Sequence, residues 1–259
     1  MSDDRAWSLT CDEFAWIWRA HTDRDEFYFP DPIDIRETAT TEAEHWPIMT
    51  ACAKRYPKDD NPWLTAAFTT LAEPRDRIRA YGTLPTGEQL RVHGAITSNL
   101  GVVVVQRCQG IGQVGPILVF TCRPESVATY VARALPPAQP GGAGRMDGYA
   151  PRVRGEGPNT SYLPSADGRL PTDERIRHLL LRIPREAEGH FVIESAVNDP
   201  RPYAPHYLNW IDIPPGQFAS GRYLITVQRD DVTVLPADND VIATELRSRL
   251  RADTPAQVW

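Results

Sequence analysis

The residues that could do chemistry are a glycine-rich stretch, one serine and the histidines. Gly141-Gly142-Ala143-Gly144 lacks the Gly-Lys-Ser/Thr of a phosphate-binding loop and follows a helical pattern, so it predicts a flexible linker. Ser195 has no Gly-x-Ser-x-Gly around it and falls inside an alternating strand. A triad assembled only by the fold stays open as an alternative. The histidines show no metal-ligand spacing, which predicts no metal site: His21, His45, His93, His178, His190 and His206.

The most distinctive cluster of polar residues lies in the second half of the chain. Trp210 and Asp212 share one face of a predicted strand, and Arg222 could reach Asp212 from a neighbouring strand. One interpretation is a buried tryptophan beside a structural arginine–aspartate pair. The other is a recognition surface on the sheet.

The four cysteines are far apart and form no Cys-x-x-Cys motif: Cys11, Cys52, Cys108 and Cys122. In a chain of 259 residues this spacing favours buried, reduced thiols in the cytosol over a disulfide framework or a metal site. Cys108 and Cys122 could face each other across two neighbouring strands, so one bridge is an open alternative.

The charge balance excludes several classes of partner. The net charge is −6 and the pI is about 5.5, without a basic run, so nucleic acid is not expected. The N-terminal residues form no secretory signal, and the longest apolar runs, about five residues, are far from the roughly 20 that span a bilayer. We expect a cytoplasmic protein without membrane insertion. The arginine bias among the basic residues indicates a GC-rich, actinobacterial coding sequence.

The elements that must position these residues follow a repeated order. Asn61 and Pro62 begin a helix that ends at Pro74, and it precedes alternating or β-branched runs at 75–83, 88–97, 102–105 and 117–120. A helical stripe over 127–135 follows. Because the turns are short, the four strands must form an antiparallel meander.

The same order returns after residue 171. A helix over 172–183 precedes four apolar runs, and Asp238 caps a last helix. The runs are 191–197, 207–213, 223–227 and 232–235. The sequence therefore predicts an α+β fold: a pseudo-twofold repeat of helix, four-stranded antiparallel meander and helix, with one central antiparallel sheet flanked by two helical bundles.

We expect one domain, because joining the two meanders edge to edge removes two exposed edges and shares one core. Its N-terminal half is 1–135, with extra helices that start at Thr10 and Thr41. Residues 136–171 are rich in Pro, Gly and Ser without a sustained period, which predicts a linker. Residues 172–259 form the C-terminal half.

Several motifs, in order along most of the chain, resemble the EspG family, the ESX (type VII) secretion-associated proteins of actinobacteria. In the first half they are Phe14-Ala15-Trp16-Ile17-Trp18, Thr40-Thr41-Glu42-x-Glu44, Leu71-x-x-Pro74, Gly101-Val102-Val103-Val104-Val105-Gln106 and Pro140-Gly141-Gly142-Ala143-Gly144. In the second half they are Gly189-x-Phe191, Trp210-x-Asp212, Gly221-Arg222-Tyr223 and Pro236-Ala237-Asp238.

The resemblance implies a chaperone without enzymatic activity or cofactor. Its expected partners are the PPE tip of a PE–PPE heterodimer, which it keeps soluble, and the type VII secretion machinery. The family's contact surface comes from the sheet, the loop between the first two strands and the C-terminal helical bundle. That loop is short here, about Leu84 to Gly87, so we place the contact on the sheet. Alternation alone gives these outward partner-binding candidates: Tyr81, Arg91, His93, Asn209, Thr226 and Gln228.

Two functions from other classes stay open on the sequence. One is a small-molecule hydrolase on an α+β scaffold, which would need a deep pocket with convergent ionisable groups. The other is a structural subunit that dimerises through an exposed sheet edge.

Overall fold

The computed structural model describes residues 5–22, 24, 28–58, 60–110, 113–156 and 170–252. In this part of the chain the strands are β1 (Ala6–Leu9), β2 (Asp76–Thr83), β3 (Gln89–Ile96), β4 (Gly101–Cys108), β5 (Val114–Cys122), β6 (Met146–Tyr149), β7 (Ala187–Glu194), β8 (His206–Ile213), β9 (Gly221–Gln228) and β10 (Asp231–Pro236). The helices are α1 (Cys11–His21), α2 (Glu42–Arg55), α3 (Pro62–Ala72), α4 (Val127–Arg133), α5 (Ala150–Arg154), α6 (Thr172–Arg182) and α7 (Asn239–Ala252).

Side-chain caps fix where several helices begin. Thr10 accepts a hydrogen bond from the Glu13 backbone N–H at 3.2 Å, and Glu13 accepts one from the Thr10 N–H at 2.9 Å, so α1 starts with a complete capping box. Asn61 accepts from the Leu64 N–H at 3.2 Å at the start of α3. Asp238 caps α7 in the same way. The predicted starts of these helices are confirmed.

The strands form one ten-stranded sheet in the order β1-β5-β4-β3-β2-β7-β8-β9-β10-β6. Each pair of neighbours is antiparallel, and β2 and β7 join the two meanders. The predicted α+β class with a large antiparallel sheet is confirmed. The edge strands, β1 and β6, have four residues each, which leaves little unpaired backbone at either edge.

One face of the sheet is covered along its centre by α4 and α7, which also pack against each other. We call it the covered face. On this face Ile78 of β2 and Phe191 of β7 are fully buried beside Val131 of α4 and Leu246 of α7. The central strands therefore share a single apolar core on this side.

The other face carries two separate cores. In the N-terminal half, Phe14 and Phe68 of α1 and α3 pack on Val104 of β4. In the C-terminal half, Ile176 of α6 packs on Val232 and other residues of β8 to β10. Helices cover the two ends of this face and leave the strands at its centre uncovered by either bundle.

Residues 136–171 are not simply a linker. They contain β6 and α5, and Pro140 forms a bridge to Arg222. The Gly141 N–H donates to the Arg222 carbonyl at 2.9 Å, and a Cβ on Gly141 would lie 1.9 Å from the Tyr223 ring. The prediction of a flexible glycine-rich linker is therefore wrong here, because Gly141 allows the chain to pack against the buried Tyr223. Residues 157–169 lie outside the described part.

The cysteine alternatives are resolved by strand register. Cys108 is opposite Val114 and Cys122 is opposite Gly101, so the two thiols lie at opposite ends of the β4–β5 pair. All four cysteines are free and buried. The possible Cys108–Cys122 bridge is wrong.

Candidate functional site

The candidate site is the uncovered strip of sheet between the two sets of helices, which we call the central groove. It is formed by side chains of β2, β3, β7 and β8 that point away from the covered face. Burial alternates along β2, with Ile78 and Ala80 inside and Tyr81 36% exposed. The groove therefore follows from the pleat of the strands that join the two meanders.

One cross-strand row defines the middle of the groove. Arg91 is opposite Tyr81, Tyr81 is opposite His190, and His190 is opposite Asn209. The Arg91 guanidinium carbon lies 5.7 Å from the centroid of the Tyr81 ring, and the Tyr81 and His190 rings are 5.9 Å apart. This row offers an aromatic surface with hydrogen-bonding groups on both sides.

Two cavities meet at this row. A cavity of about 490 Å³ lies between the row and α6, where Leu180 and Leu181 face Ile211 and Ile225. A second, of about 250 Å³, lies on the other side against Arg79. Both include Tyr81 and His190 in their walls. The groove is thus apolar towards the C-terminal helices and polar towards the N-terminal ones.

The polar end is closed by residues 28–35, which cross the sheet and which we call the strap. Arg91 donates to the Pro32 carbonyl at 3.2 Å, and Arg79 forms an ion pair with Asp31. The amide of Gln106 pairs with the Asp34 backbone in both directions, at 2.8 and 2.9 Å. These bonds fix the strap to β2, β3 and β4.

Glu194 forms ion pairs with two arginines at this end of the groove. It accepts two hydrogen bonds from Arg77, at 2.7 and 3.0 Å, and lies 2.9 Å from Arg79. Burial raises the pKa of Glu194, but the hydrogen bonds and charges of Arg77 and Arg79 outweigh it and bring the pKa below its ordinary value. Glu194 is therefore ionised at neutral pH, and the cluster carries both signs of charge.

The six predicted contact residues divide between the two faces. Tyr81, Arg91 and Asn209 lie in the central row of the groove. His93 points to the same face but is only 2% exposed, because the strap covers it, so the prediction of an outward side chain is wrong.

Thr226 and Gln228 lie on the covered face beside α7, where Arg249 donates to Thr226 at 3.4 Å. Gln228 is exposed and Thr226 is half-buried, so both reach the surface, but on the face opposite to Tyr81, Arg91 and Asn209. Their part in partner binding stays a prediction.

The tryptophan cluster is structural. Arg222 is 0% exposed and donates to both carboxylate oxygens of Asp212, at 2.6 and 2.7 Å, on the covered face. Its guanidinium carbon lies 5.4 Å from the centroid of the Trp210 ring, and its third nitrogen reaches Asn239 at the start of α7. The interpretation as a recognition surface is wrong, because α7 closes over the pair.

The other side chains that could react or bind a metal are part of the structural framework. The Ser195 hydroxyl is buried and has no hydrogen-bond partner among the described residues, so no base is positioned to activate it. Within the same residues, no group of His, Cys, Asp and Glu side chains could hold a metal ion. No helix in the described part is long and apolar enough to cross a membrane.

The sequence patterns did not predict two parts of the groove, Leu181 and the strap. Leu181 is 63% exposed, although it lies in a run of three leucines; its position off the apolar stripe of α6 was the available signal. The strap carries no pattern that indicates which strands it crosses. Its position depends on Asp31 and Pro32 finding partners more than 40 residues away.

The fold and the groove define an α+β protein with an open surface between two sets of helices. A model of the EspG family matches residues 10–248. The chain belongs to the EspG family and is thereby an ESX secretion-associated protein.

No curated protein matches the chain. Among solved structures, the full-length peroxisomal multifunctional enzyme type 2 from Drosophila melanogaster aligns with 91% of this chain at 11% identity and a TM-score of 0.17. The chain spans 48% of that enzyme's length. So low a TM-score carries no argument about fold or function.

Proposed function

We propose that this protein is a cytosolic, non-enzymatic secretion chaperone. Its central groove binds the tip of the PPE protein in a PE–PPE heterodimer, keeps the pair soluble and directs it to a type VII secretion system. A helical tip with exposed apolar residues is prone to aggregate until a partner covers it. Membership of the EspG family supports the secretion role, and the groove supports the mode of binding.

The observation that carries the proposal is the composition of the groove. Tyr81 is at its centre, the exposed Leu181 lies on one side, and the 60% exposed Tyr207 extends it along β8. Exposed aromatic side chains beside arginine are residue types that are enriched in protein interfaces and their hot spots. Both flanking helix sets can contribute to an interface of standard size, roughly 800 Å² on each partner.

We further propose that the two halves form a single domain related by a pseudo-twofold axis between β2 and β7. The strand order supports this proposal, since β3, β4 and β5 follow β2 outwards as β8, β9 and β10 follow β7. Short edge strands end both series, and α4 and α7 occupy matching places after the fourth strand. The groove then lies across the axis and takes contacts from both halves.

The test is co-purification with a PE–PPE pair encoded beside the chaperone gene. Tyr81→Ala combined with Arg91→Glu should lower the affinity at least 100-fold, because both side chains form the centre of the interface. Thr226→Ala with Gln228→Ala is the matched control on the covered face and should leave the affinity within twofold. Undiminished binding by the first variant, with loss in the second, would move the contact to the other face.

A further inference from the structure

Helix α2 packs against α1 with one side and presents its other side to solvent. Its two buried residues, Met49 and Cys52, are three positions apart and lie on the packed side. The residues three, four, seven, eight and eleven positions after Ala43 share the opposite side with it. We call this set the α2 stripe, and all its members are exposed: Ala43, Trp46, Pro47, Thr50, Ala51 and Lys54.

The middle of the α2 stripe is apolar. Trp46 is 76% exposed and has small or apolar neighbours along the stripe. The Thr50 hydroxyl donates to the Trp46 carbonyl at 2.9 Å, so the polar group of Thr50 is already bonded within the helix. Tryptophan is the residue type most typical of interface hot spots. The stripe therefore has the composition of a contact surface and requires no new side-chain hydrogen bond at its centre.

The charges at the two ends of α2 identify the kind of partner. The helix begins with Glu42 and Glu44 and ends with Lys54 and Arg55. Two antiparallel copies would place each acidic end against a basic end, whereas parallel copies would oppose like charges. A twofold axis requires that one surface be complementary to itself. The α2 stripe meets this requirement, so the partner that it fits is a second copy of this chain.

Glu42 and Lys54 are the charges available for this contact. Glu44 is engaged in the helix cap, and Arg55 donates to Glu13 at 2.6 Å. Glu42 and Lys54 are exposed and form no ion pair within the described part of the chain. Each can therefore pair with the other residue of a second copy without breaking an existing bond.

The order of residues along the stripe fixes the register of such a pair. With the twofold axis between Pro47 and Thr50, Trp46 of each copy is opposite Ala51 of the other, so a large side chain meets a small one. Lys54 of the second copy is then opposite Ala43 and beside Glu42. Because Pro47 has no N–H, it cannot donate the usual helical hydrogen bond to the Ala43 carbonyl. The Lys54 ammonium can donate to that carbonyl and to the Glu42 carboxylate.

We propose that the chain forms a twofold-symmetric dimer through the α2 stripe, with the two helices antiparallel. Because α2 has 14 residues, it is only about 21 Å long. The contact is thus smaller than the roughly 800 Å² per partner of a standard interface, and the dimer is a weak one. The described walls of the two groove cavities contain no residue of α2, so the dimer leaves the proposed cargo surface unused.

Analytical ultracentrifugation of the whole chain without cargo tests the proposal. We expect a monomer–dimer equilibrium with a Kd on the order of 10 µM. Trp46→Ala should raise this Kd about tenfold or more, because the anchor residue of the contact is lost. Phe218→Ala, at a 91% exposed position between β8 and β9, is the matched control and should leave the Kd within about twofold.

Two results would overturn the proposal. One is a chain that stays monomeric at about 500 µM. The other is a dimer that Phe218→Ala dissociates and Trp46→Ala does not. Because the measurement uses no PE–PPE pair, either result leaves the proposed chaperone function intact, and a failure to bind PE–PPE would leave the dimer intact.

A charge exchange tests the antiparallel register. Glu42→Lys and Lys54→Glu each place like charges together in a homodimer, so each should raise the Kd about tenfold. An equal mixture of the two variants restores both charge pairs in the heterodimer, and its Kd should return to within about twofold of the unmodified value. Recovery on mixing requires that residue 42 of one copy meet residue 54 of the other. Two folded variants that fail to associate when mixed would refute this dimer.

Discussion

The two faces of the sheet use the same pairing of arginine with carboxylate in different ways. On the covered face, Arg222 and Asp212 are sealed beneath α7, and each of the three guanidinium nitrogens of Arg222 donates to a partner. In the groove, Arg77 and Arg79 share Glu194 while keeping 34% and 25% of their side-chain surface exposed. The first arrangement holds a helix to the sheet. The second leaves charged groups at a surface that a partner can reach.

The difference teaches that residue type alone does not distinguish a structural pair from a binding surface. What decides is the element above the strand: α7 on one side, and open space between two sets of helices on the other.

The largest effect is expected from breaking the buried pair. Asp212→Ala leaves the Arg222 charge without its counter-ion and should lower the free energy of unfolding by about 3–5 kcal/mol. Glu194→Ala, in the groove, should cost only about 1–2 kcal/mol, because water can reach the two arginines. Urea unfolding measures both. Equal losses would show that the two faces are not different environments for charge.

The second largest effect is expected from the titration of His93 at the edge of the groove, which should change the free energy of unfolding by about 3 kcal/mol. Burial, with the charges of Arg77 and Arg79, lowers the pKa of His93 from 6.5 to about 4, against the opposing hydrogen bond to Asp31. Between these values the unfolded chain binds a proton that the folded chain does not. The free energy of unfolding should therefore fall as the pH falls from 6.5 to 4, by about 3 kcal/mol in total.

Urea unfolding at several pH values, repeated with His93→Phe, isolates this contribution. The carboxylates titrate in both proteins, so the difference between the two pH profiles belongs to His93. Parallel profiles would mean that His93 is not buried in the neutral form.

A smaller effect is expected from adding one carbon on each face. A Cβ on Gly82 would lie 2.6 Å from the Trp210 ring and 2.7 Å from the Glu188 carbonyl oxygen, so Gly82→Ala should cost about 1–3 kcal/mol. Asn209→Gln adds one carbon at an exposed position in the groove and should change stability by less than about 0.5 kcal/mol. Thermal unfolding compares them. A neutral Gly82→Ala would contradict the close packing of Trp210 against β2 and β7.

Local signals in the sequence predicted much of this fold. Thr10, Asn61 and Asp238 cap helices where their side chains indicate, because a cap depends only on neighbours three residues away. The eight strands of the two meanders were predicted by alternation and turn residues. β1 and β6 were missed, since four residues show too little alternation to be recognised.

The residues of the central groove were harder to predict from the sequence than the fold. Alternation places Thr226 and Leu224 on the same side of β9. It does not tell which face of the sheet that side belongs to, because the register between two strands cannot be deduced from the sequence of either strand alone. Tyr81, Arg91 and Asn209 did fall in one row. His93 did not stay exposed, because the strap from residues 28–35 is held by contacts distant in sequence.

The central claim is that the PE–PPE pair covers the groove and not the opposite face. Hydroxyl-radical footprinting tests it directly, since Tyr81 and Tyr207 are exposed in the groove and Tyr149, 45% exposed, lies at the far edge of the sheet. Saturating PE–PPE should reduce oxidation of Tyr81 and Tyr207 at least threefold and leave Tyr149 unchanged. Protection of Tyr149, with unaltered oxidation of Tyr81 and Tyr207 in a complex known to have formed, would contradict the account.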